Sequence, residues 1–298
     1  MTKASALTEE TAHRTLVAVC EQVGLDPAGA ELIRIGSNAV YRLAKPVIVR
    51  ISRDSETVEN ARRQVAVARW LASKSYPATR ALDVDQPIEL GGHVTTLWES
   101  ASEREEYAPL TQVAELIRRL HDLDAPASLA LPQSQPFAKL DEYLPDLELV
   151  DLSDAVFMRE RIGQLRSRYD ALDFALKPGV IHGDANVGNV ILDRDGDPLL
   201  IDLDSFCLGP REWDLVQTAL FFERFGWHTE DEYRAFVEVY GFDIMTWPGY
   251  PVLAEYREIS MTLWLSQKGV SDERAAAEVH KRIEAIRTGG SRRDWAPF

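Results

Sequence analysis

Three β-prone runs, ELIRI (31–35), NAVYRL (38–43) and VIVRIS (47–52), follow one another with only Gly36-Ser37 and Ala44-Lys45-Pro46 between them. Links this short join antiparallel neighbours, because a parallel pair needs a crossover of a dozen residues or more. The chain is therefore predicted to open on an antiparallel meander. Ahead of it, residues 8–23 carry Thr8 as an N-cap, acids in the first turn, apolar Leu16, Val17, Cys20 and Val23, and Gly24 as a stop, the signature of a short leading helix. Behind it, Asp54-Ser55 cap a stretch in which Val58, Ala61, Val65, Ala68 and Leu71 recur at helical spacing. Residues 56–73 are predicted as one amphipathic helix with Gln64 beside the apolar stripe. After Pro77, TRAL, PIEL and HVTTLW read as strands, with Gly91-Gly92 as a tight hairpin turn.

Beyond Glu99 the texture changes. Helices are predicted over 112–123, 155–175, 212–224, 230–240, 252–267 and 272–287, with short strands at 179–182, 189–192 and 198–202. Residues 124–140, with DAPASLALPQSQP and three prolines, read as an irregular connection. The predicted class is α+β with two lobes: residues 1–99, an antiparallel sheet with helices, and residues 100–298, mainly helical. They join near Trp98-Glu99-Ser100 and are expected to close on a ligand.

Composition narrows the function. With 33 basic against 48 acidic residues the net charge is -15, the wrong sign for a surface that neutralises nucleic-acid phosphates. Cys20 and Cys207 are the only cysteines and have no metal-ligand spacing, so neither a disulfide framework nor a zinc site is expected. The opening MTKASALTEE lacks the apolar core of a signal peptide, and no apolar run reaches the length of a membrane span. A cytoplasmic protein without a membrane partner is the expectation; oligomeric state leaves no trace in the sequence. Two acidic groups, Asp141, Glu142, Asp146, Glu148, Asp151 and Asp154, and Glu99, Glu103, Glu105 and Glu106, either solvate the surface or face a cation.

The chemistry concentrates in VIHGDANVGN (180–189) and LLIDLDSF (199–206). The apolar runs 189–192 and 199–202, joined across Asp193-Arg194-Asp195-Gly196-Asp197, are predicted to form a hairpin that brings Asn189 opposite Asp202. A carboxylate beside a carboxamide suits a hard divalent ion such as magnesium, which keeps several waters and takes few protein ligands. Asp184, one step aside, is left to accept a proton. Phosphoryl transfer needs this division, with ions neutralising phosphate oxygens and a separate acceptor orienting the attacking hydroxyl. An Asp-x-x-x-x-Asn match by itself is more often a loop; here it follows an apolar strand and His182-Gly183 and precedes a second strand ending in acid. Asp193, Asp195, Asp197 and Asp204 also fall on positions 1, 3, 5 and 12 of a calcium loop, but Pro198 stands where that loop requires glycine. His182 reads as a scaffold for the loop rather than a base.

HGDANVGN followed by LLIDLDSFCLGPREWDL resembles the aminoglycoside phosphotransferase family, relatives of protein kinases. The likeness extends over most of the chain and is loosest between 124 and 175. It implies a kinase-like, two-lobed phosphotransferase with Asp184 as catalytic base and Asn189 and Asp202 holding magnesium. Arg50 would stand where protein kinases carry the strand lysine, and Gln64 at the helix position usually held by Glu, turning an ion pair into an amide hydrogen bond. Glu59, five residues earlier, lies off that face. Ser37, in a turn with one glycine, would reach a terminal phosphate; Trp98, Glu99 and Ser100 would contact the purine; Trp213-Asp214 would hold the loop. The implied donor is ATP or GTP, and the implied acceptor a hydroxyl on a small, cationic molecule such as an aminoglycoside or amino sugar. A choline or other metabolite kinase, or a nucleotide-binding protein with little transfer activity, are the alternatives.

Overall fold

The computed structural model describes residues 7–36, 38–52, 58–102 and 106–296. Ser37, the capping pair Asp54-Ser55, Glu103, Glu105 and the first six residues of MTKASALTEE lie outside them. In chain order the elements of the first hundred residues are α1 (Glu9–Val23), β1 (Glu31–Ile35), β2 (Asn38–Arg42), β3 (Val47–Ser52), α2 (Val58–Ser73), β4 (Ile88–Leu90) and β5 (His93–Glu99). There follow α3 (Leu110–His121), α4 (Pro136–Val150), α5 (Leu152–Asp170), β6 (Gly179–Ile181), β7 (Val190–Leu192), β8 (Pro198–Leu200) and β9 (Cys207–Gly209). The chain ends in α6 (Val216–Leu220), α7 (Glu230–Tyr240), α8 (Tyr250–Gly269) and α9 (Glu273–Thr288).

Two compact units emerge. One combines the described chain up to Gln112 with Ala125–Leu131 and Val187–Phe206; the other combines Val113–Asp124, Pro132–Asn186 and the described chain from Cys207 onward.

The first unit is built on a five-stranded antiparallel sheet in the order β1-β2-β3-β5-β4. Gly91 and Gly92 close the β4–β5 hairpin with φ of 62° and 87°, which residues with a Cβ adopt only at a cost. Side-chain alternation gives the sheet two different faces. Ala39, Tyr41, Val47, Val49 and Ile51 pack with Ala12, Leu16, Val19 and Cys20 of α1 in one apolar core, each large aliphatic contributing about 1.5–3 kcal/mol. Val40 sits opposite Arg50 and Arg42 opposite Ile48, so these four share the other face. α1 begins on Thr8, whose hydroxyl accepts from the Thr11 amide at 3.2 Å while Thr11 accepts from the Thr8 amide at 2.8 Å. TRAL makes no full strand: Ala81 forms one bridge to Trp98 before the chain bends at Asp83-Val84-Asp85.

The β7–β8 hairpin joins this unit although it lies some ninety residues further along, for a backbone reason. Thr79 N–H donates to Leu200 O at 2.8 Å and Leu200 N–H to Pro77 O at 3.0 Å, while Ala108 N–H donates to Val190 O and Leu192 N–H to Glu106 O. Both outer edges of the hairpin are thereby paired, as buried amide groups require.

In the second unit α4, α5, α8 and α9 pack together, and β6 pairs with β9 in a two-stranded ribbon. α4 departs from the expectation of an irregular connection reaching to 140. Pro136 is tolerated at its first turn, and Phe137, Leu140, Leu144 and Leu147 bury one face strongly enough to keep it helical through Pro145. The single helix predicted over 212–224 is a 3₁₀ turn (Arg211–Asp214), the short α6 and a π turn (Phe221–Phe225) that stacks Phe221 on Phe225. No helix among the described residues is long and apolar enough to cross a membrane.

Candidate active site

A cavity of about 350 Å³ lies in the first unit, a size suited to a small-molecule ligand. Its walls include the outer sheet face (Val40, Arg42, Ile48 and Arg50), Gln64 of α2, the end of β5 from Trp98 to Ser100, and Asn189 and Asp202 of the hairpin. Strand alternation explains the lining: the residues between these on β2 and β3 are those of the α1 core. Arg34, Arg42 and Arg50 put three guanidinium groups on the wall of a chain whose net charge is -15, a local field of the sign that attracts phosphate.

Arg50 is held from two directions. Its Nη1 donates to Gln64 Oε1 at 3.2 Å, and its Nη1 and Nη2 donate in parallel to Asp204 Oδ1 and Oδ2 at 2.8 and 2.6 Å. Gln64 is buried on α2 and its amide is a neutral partner, whereas Asp204 makes the charged, two-point contact. The sequence reading had Asp204 only as the last position of a calcium loop, and no local signal pairs it with a strand 154 residues away. That loop is a hairpin turn: Asp193 Oδ1 accepts from the amides of Asp195 and Asp197 at 2.9 and 3.0 Å, and Gly196 takes φ of 84°.

The hairpin register sets Val190 against Leu200, and Ile201 N–H donates to Asn189 O at 3.0 Å. Asn189 is thus paired with the residue next to Asp202, and both side chains line the cavity. Asp202 sits at φ 59°, ψ 68°, the left-handed region that residues other than glycine seldom occupy. Strain of that kind concentrates where a side chain must be aimed. Among the described residues no group of three or more His, Cys, Asp or Glu is placed to hold a metal. Asn189 and Asp202 offer one amide and one carboxylate to the cavity, a donor set that would suit a magnesium ion taking its other ligands from water and phosphate.

At the base end of β5, Glu99 N–H donates to Arg80 O at 2.9 Å and Ser100 N–H to Pro46 O at 2.8 Å. The buried Trp98 indole donates to Thr96 Oγ1 at 2.9 Å, which fixes the strand end that Trp98, Glu99 and Ser100 form.

Asp184 belongs to the second unit. The loop carrying it leaves β6 through Gly183, at φ 84°, and is anchored by Asp214. Asp214 is fully buried, and its two oxygens accept from His182 N–H at 2.7 Å and Gly183 N–H at 2.8 Å, with the His121 ring a further partner at 3.1 Å. Burial alone would raise its pKa, but the hydrogen bond and charge of His121, with His182 and its amide, hold it below the ordinary carboxylate value. Trp213 Nε1 donates to Gly183 O at 2.9 Å. The Asp184 side chain is 44% exposed, and Arg257 of α8, almost buried, reaches it from beneath with Nη1 at 3.2 Å from Oδ1. Arg257 was not legible from the sequence, since nothing links it locally to a loop 73 residues earlier. Tyr143 of α4 stands nearby: its pKa is raised by burial first, then by the charges of Glu142 and Asp184.

Most of the acids singled out in the sequence have structural partners. Asp141 pairs with Arg166, Glu148 with Arg159, and Asp154 with Arg287 and His280, while Asp151 caps α5. Glu230 and Asp231 face Arg234, and Glu232 accepts from the Thr229 amide. Asp141, Glu148 and Asp154 are met by side chains of other helices, whereas the α7 acids and Asp151 find partners within their own segment.

The meander with α2 and β5, the strand arginine, and the His-Gly-Asp loop ahead of the β7–β8 hairpin together define a kinase-like phosphotransferase fold. The sequence pattern of the phosphotransferase enzyme family, APH, matches residues 31–256, and the chain belongs to that family. Amicoumacin kinase hAmiN, solved in complex with AMP-PNP, Ca2+ and Ami, superposes with a TM-score of 0.73 at 13% identity, covering 97% of this chain and 98% of that one. A choline/ethanolamine kinase family protein from Mesorhizobium loti gives 0.62 at 18% identity, with 93% and 94% covered. A probable ketoamine kinase of Lactiplantibacillus plantarum is 42% identical over 65 residues, 22% of this chain. That stretch spans about a fifth (21%) of the curated relative's length.

Proposed function

We propose that the chain transfers the γ-phosphoryl group of ATP or GTP to a hydroxyl of a small amine-bearing molecule. The observation that carries the nucleotide half is the cavity of the first unit, because Arg50, Gln64, Trp98, Glu99, Ser100, Asn189 and Asp202 all line it. Arg50 and Gln64 serve the phosphates. The end of β5 serves the base; the Glu99 and Ser100 amides are already bonded, and the Ala101 backbone lines the same wall. Ser37, which lies outside the described residues, is assigned to the terminal phosphate on the family resemblance alone. Asn189 and Asp202 hold magnesium, which when bound neutralises charge on the phosphate oxygens.

Asp184 takes the proton of the acceptor hydroxyl as its oxygen bonds to the γ-phosphorus and the bond to the β-phosphate oxygen breaks. Nucleoside diphosphate leaves, and the proton rests on the carboxylate. The exposure of Asp184 over a fixed Arg257, and the anchoring of its loop by Asp214, support this role. For the acceptor, the 65-residue likeness to a probable ketoamine kinase supports an amine on a hydroxylated carbon frame, such as an amino sugar or ketoamine. The acidic segments 141–154 and 230–232 lend less support, being largely paired internally. We assign the enzyme to the cytoplasm, where its nucleotide is found.

The test is an acceptor screen with ATP or GTP and magnesium over aminoglycosides, amino sugars, ketoamines, ethanolamine and choline, read by mass spectrometry. Gain of one phosphate on an amine-bearing alcohol supports the reading. Transfer confined to neutral alcohols would remove the amine. Nucleotide binding without acceptor-dependent diphosphate release across the panel would favour a nucleotide-binding protein with little transfer activity.

A further inference from the structure

Resting on the nucleotide-site reading above, we infer that Asp204 positions Arg50 for nucleotide, supplying the carboxylate that α2 does not present at the Gln64 position. The helix position carries Gln64, whose amide oxygen is 3.2 Å from Nη1. Asp204 meets the same guanidinium with both oxygens, at 2.8 and 2.6 Å, and this contact engages both terminal nitrogens. Two parallel bonds fix the guanidinium plane as well as its position, which one bond to an amide does not. The side chains are 20% and 39% exposed, so the pair is shielded on one side and within reach of the cavity that Arg50 lines on the other.

The place of Asp204 in the chain gives the pair its significance. It lies in the 3₁₀ turn Leu203–Ser205, entered directly from the left-handed Asp202. One short segment thus bears the carboxylate assigned to magnesium and, two residues on, the carboxylate that sets the phosphate-binding cation. Both charge-handling parts of the phosphate site are thereby tied to the segment that follows the hairpin, and the Gln64 bond from α2 is a neutral one. Displacing residues 202–204 disturbs the two together.

The experiment measures the dissociation constant of AMP-PNP with magnesium by titration calorimetry, with thermal unfolding followed in parallel. Asp204→Asn keeps the shape and removes the charge, and is expected to weaken binding roughly ten-fold. Adding Gln64→Glu to that variant restores a carboxylate beside Nη1 from the helix side and should recover most of the loss. A residue that merely supports the fold would not be rescued in this way. Arg50→Lys is the independent variant, because an ammonium cannot take the two-point pair; it should lose about as much affinity as Asp204→Asn. The inference is overturned by wild-type or tighter binding in Asp204→Asn, by a loss that Gln64→Glu leaves in place, or by wild-type affinity in Arg50→Lys should Asp204→Asn not fold. Absence of nucleotide binding in the unmutated protein would instead sink the site reading itself, and the two failures are distinguishable.

Discussion

Arg257 holds Asp184 and its loop in one grip: Nη1 lies 3.2 Å from Asp184 Oδ1, Nη2 3.1 Å from Gly183 O, and the guanidinium carbon 4.9 Å from the centre of the Trp213 ring. A cation fixed on three sides beneath a half-exposed carboxylate orients that carboxylate without covering it. Arg257→Ala should lower kcat by about ten-fold or more, with the loss in kcat rather than in nucleotide affinity. Arg257→Lys, which keeps the charge and one bond, should fall between. Steady-state kinetics beside calorimetric nucleotide binding checks this, and equal losses in both would point to general damage.

Asp184→Asn preserves shape and removes the proton acceptor. Turnover should fall by roughly 10²-fold or more while nucleotide still binds. Single-turnover phosphoryl transfer measured at saturating nucleotide is the check, and a wild-type rate would strike Asp184 from the mechanism.

Asp202→Ala and Asn189→Ala should each weaken nucleotide binding in the presence of magnesium and leave the magnesium-free affinity close to its starting value. Titrations with and without the ion separate the two terms. Unchanged metal dependence in both variants would contradict their assignment.

Asp214 predicts a pH dependence of stability. Its folded pKa is lowered below the ordinary 3.8, so its contribution is fully present above that value and is lost as pH falls through the depressed one. Asp214→Asn should remove this part of the acid limb. It also turns an amide N–H₂ toward one of two backbone donors, His182 N–H or Gly183 N–H, and should destabilise the fold by about 2–4 kcal/mol. Urea unfolding at pH 7 and in the acid range measures both effects.

Much of this was written locally. The meander, the amphipathic α2, the Gly91-Gly92 turn and the α7 boundaries follow from periods of 2 and 3.6 and from caps, which are short-range physics. The β7–β8 hairpin follows from two apolar runs and an Asp-Gly turn, but its register is one residue from the expected one: Asn189 faces Ile201, and Asp202 is the next residue along. α4 was missed because Pro136 and Pro145 argue against a helix until the burial of Phe137, Leu140, Leu144 and Leu147 outweighs them. β9 was missed because three residues carry no period, and only pairing with β6 makes them a strand.

Most of the elements and the order of the chemical groups can be read along the chain, because propensity, alternation and capping act over a few residues. Which distant charges meet is a matter of the folded molecule. Arg50 is joined to Asp204 across 154 positions and Arg257 to Asp184 across 73, while the acids of α4 turn to arginines on α5. A charge's partner is set by distance through space, and chain separation carries no record of it.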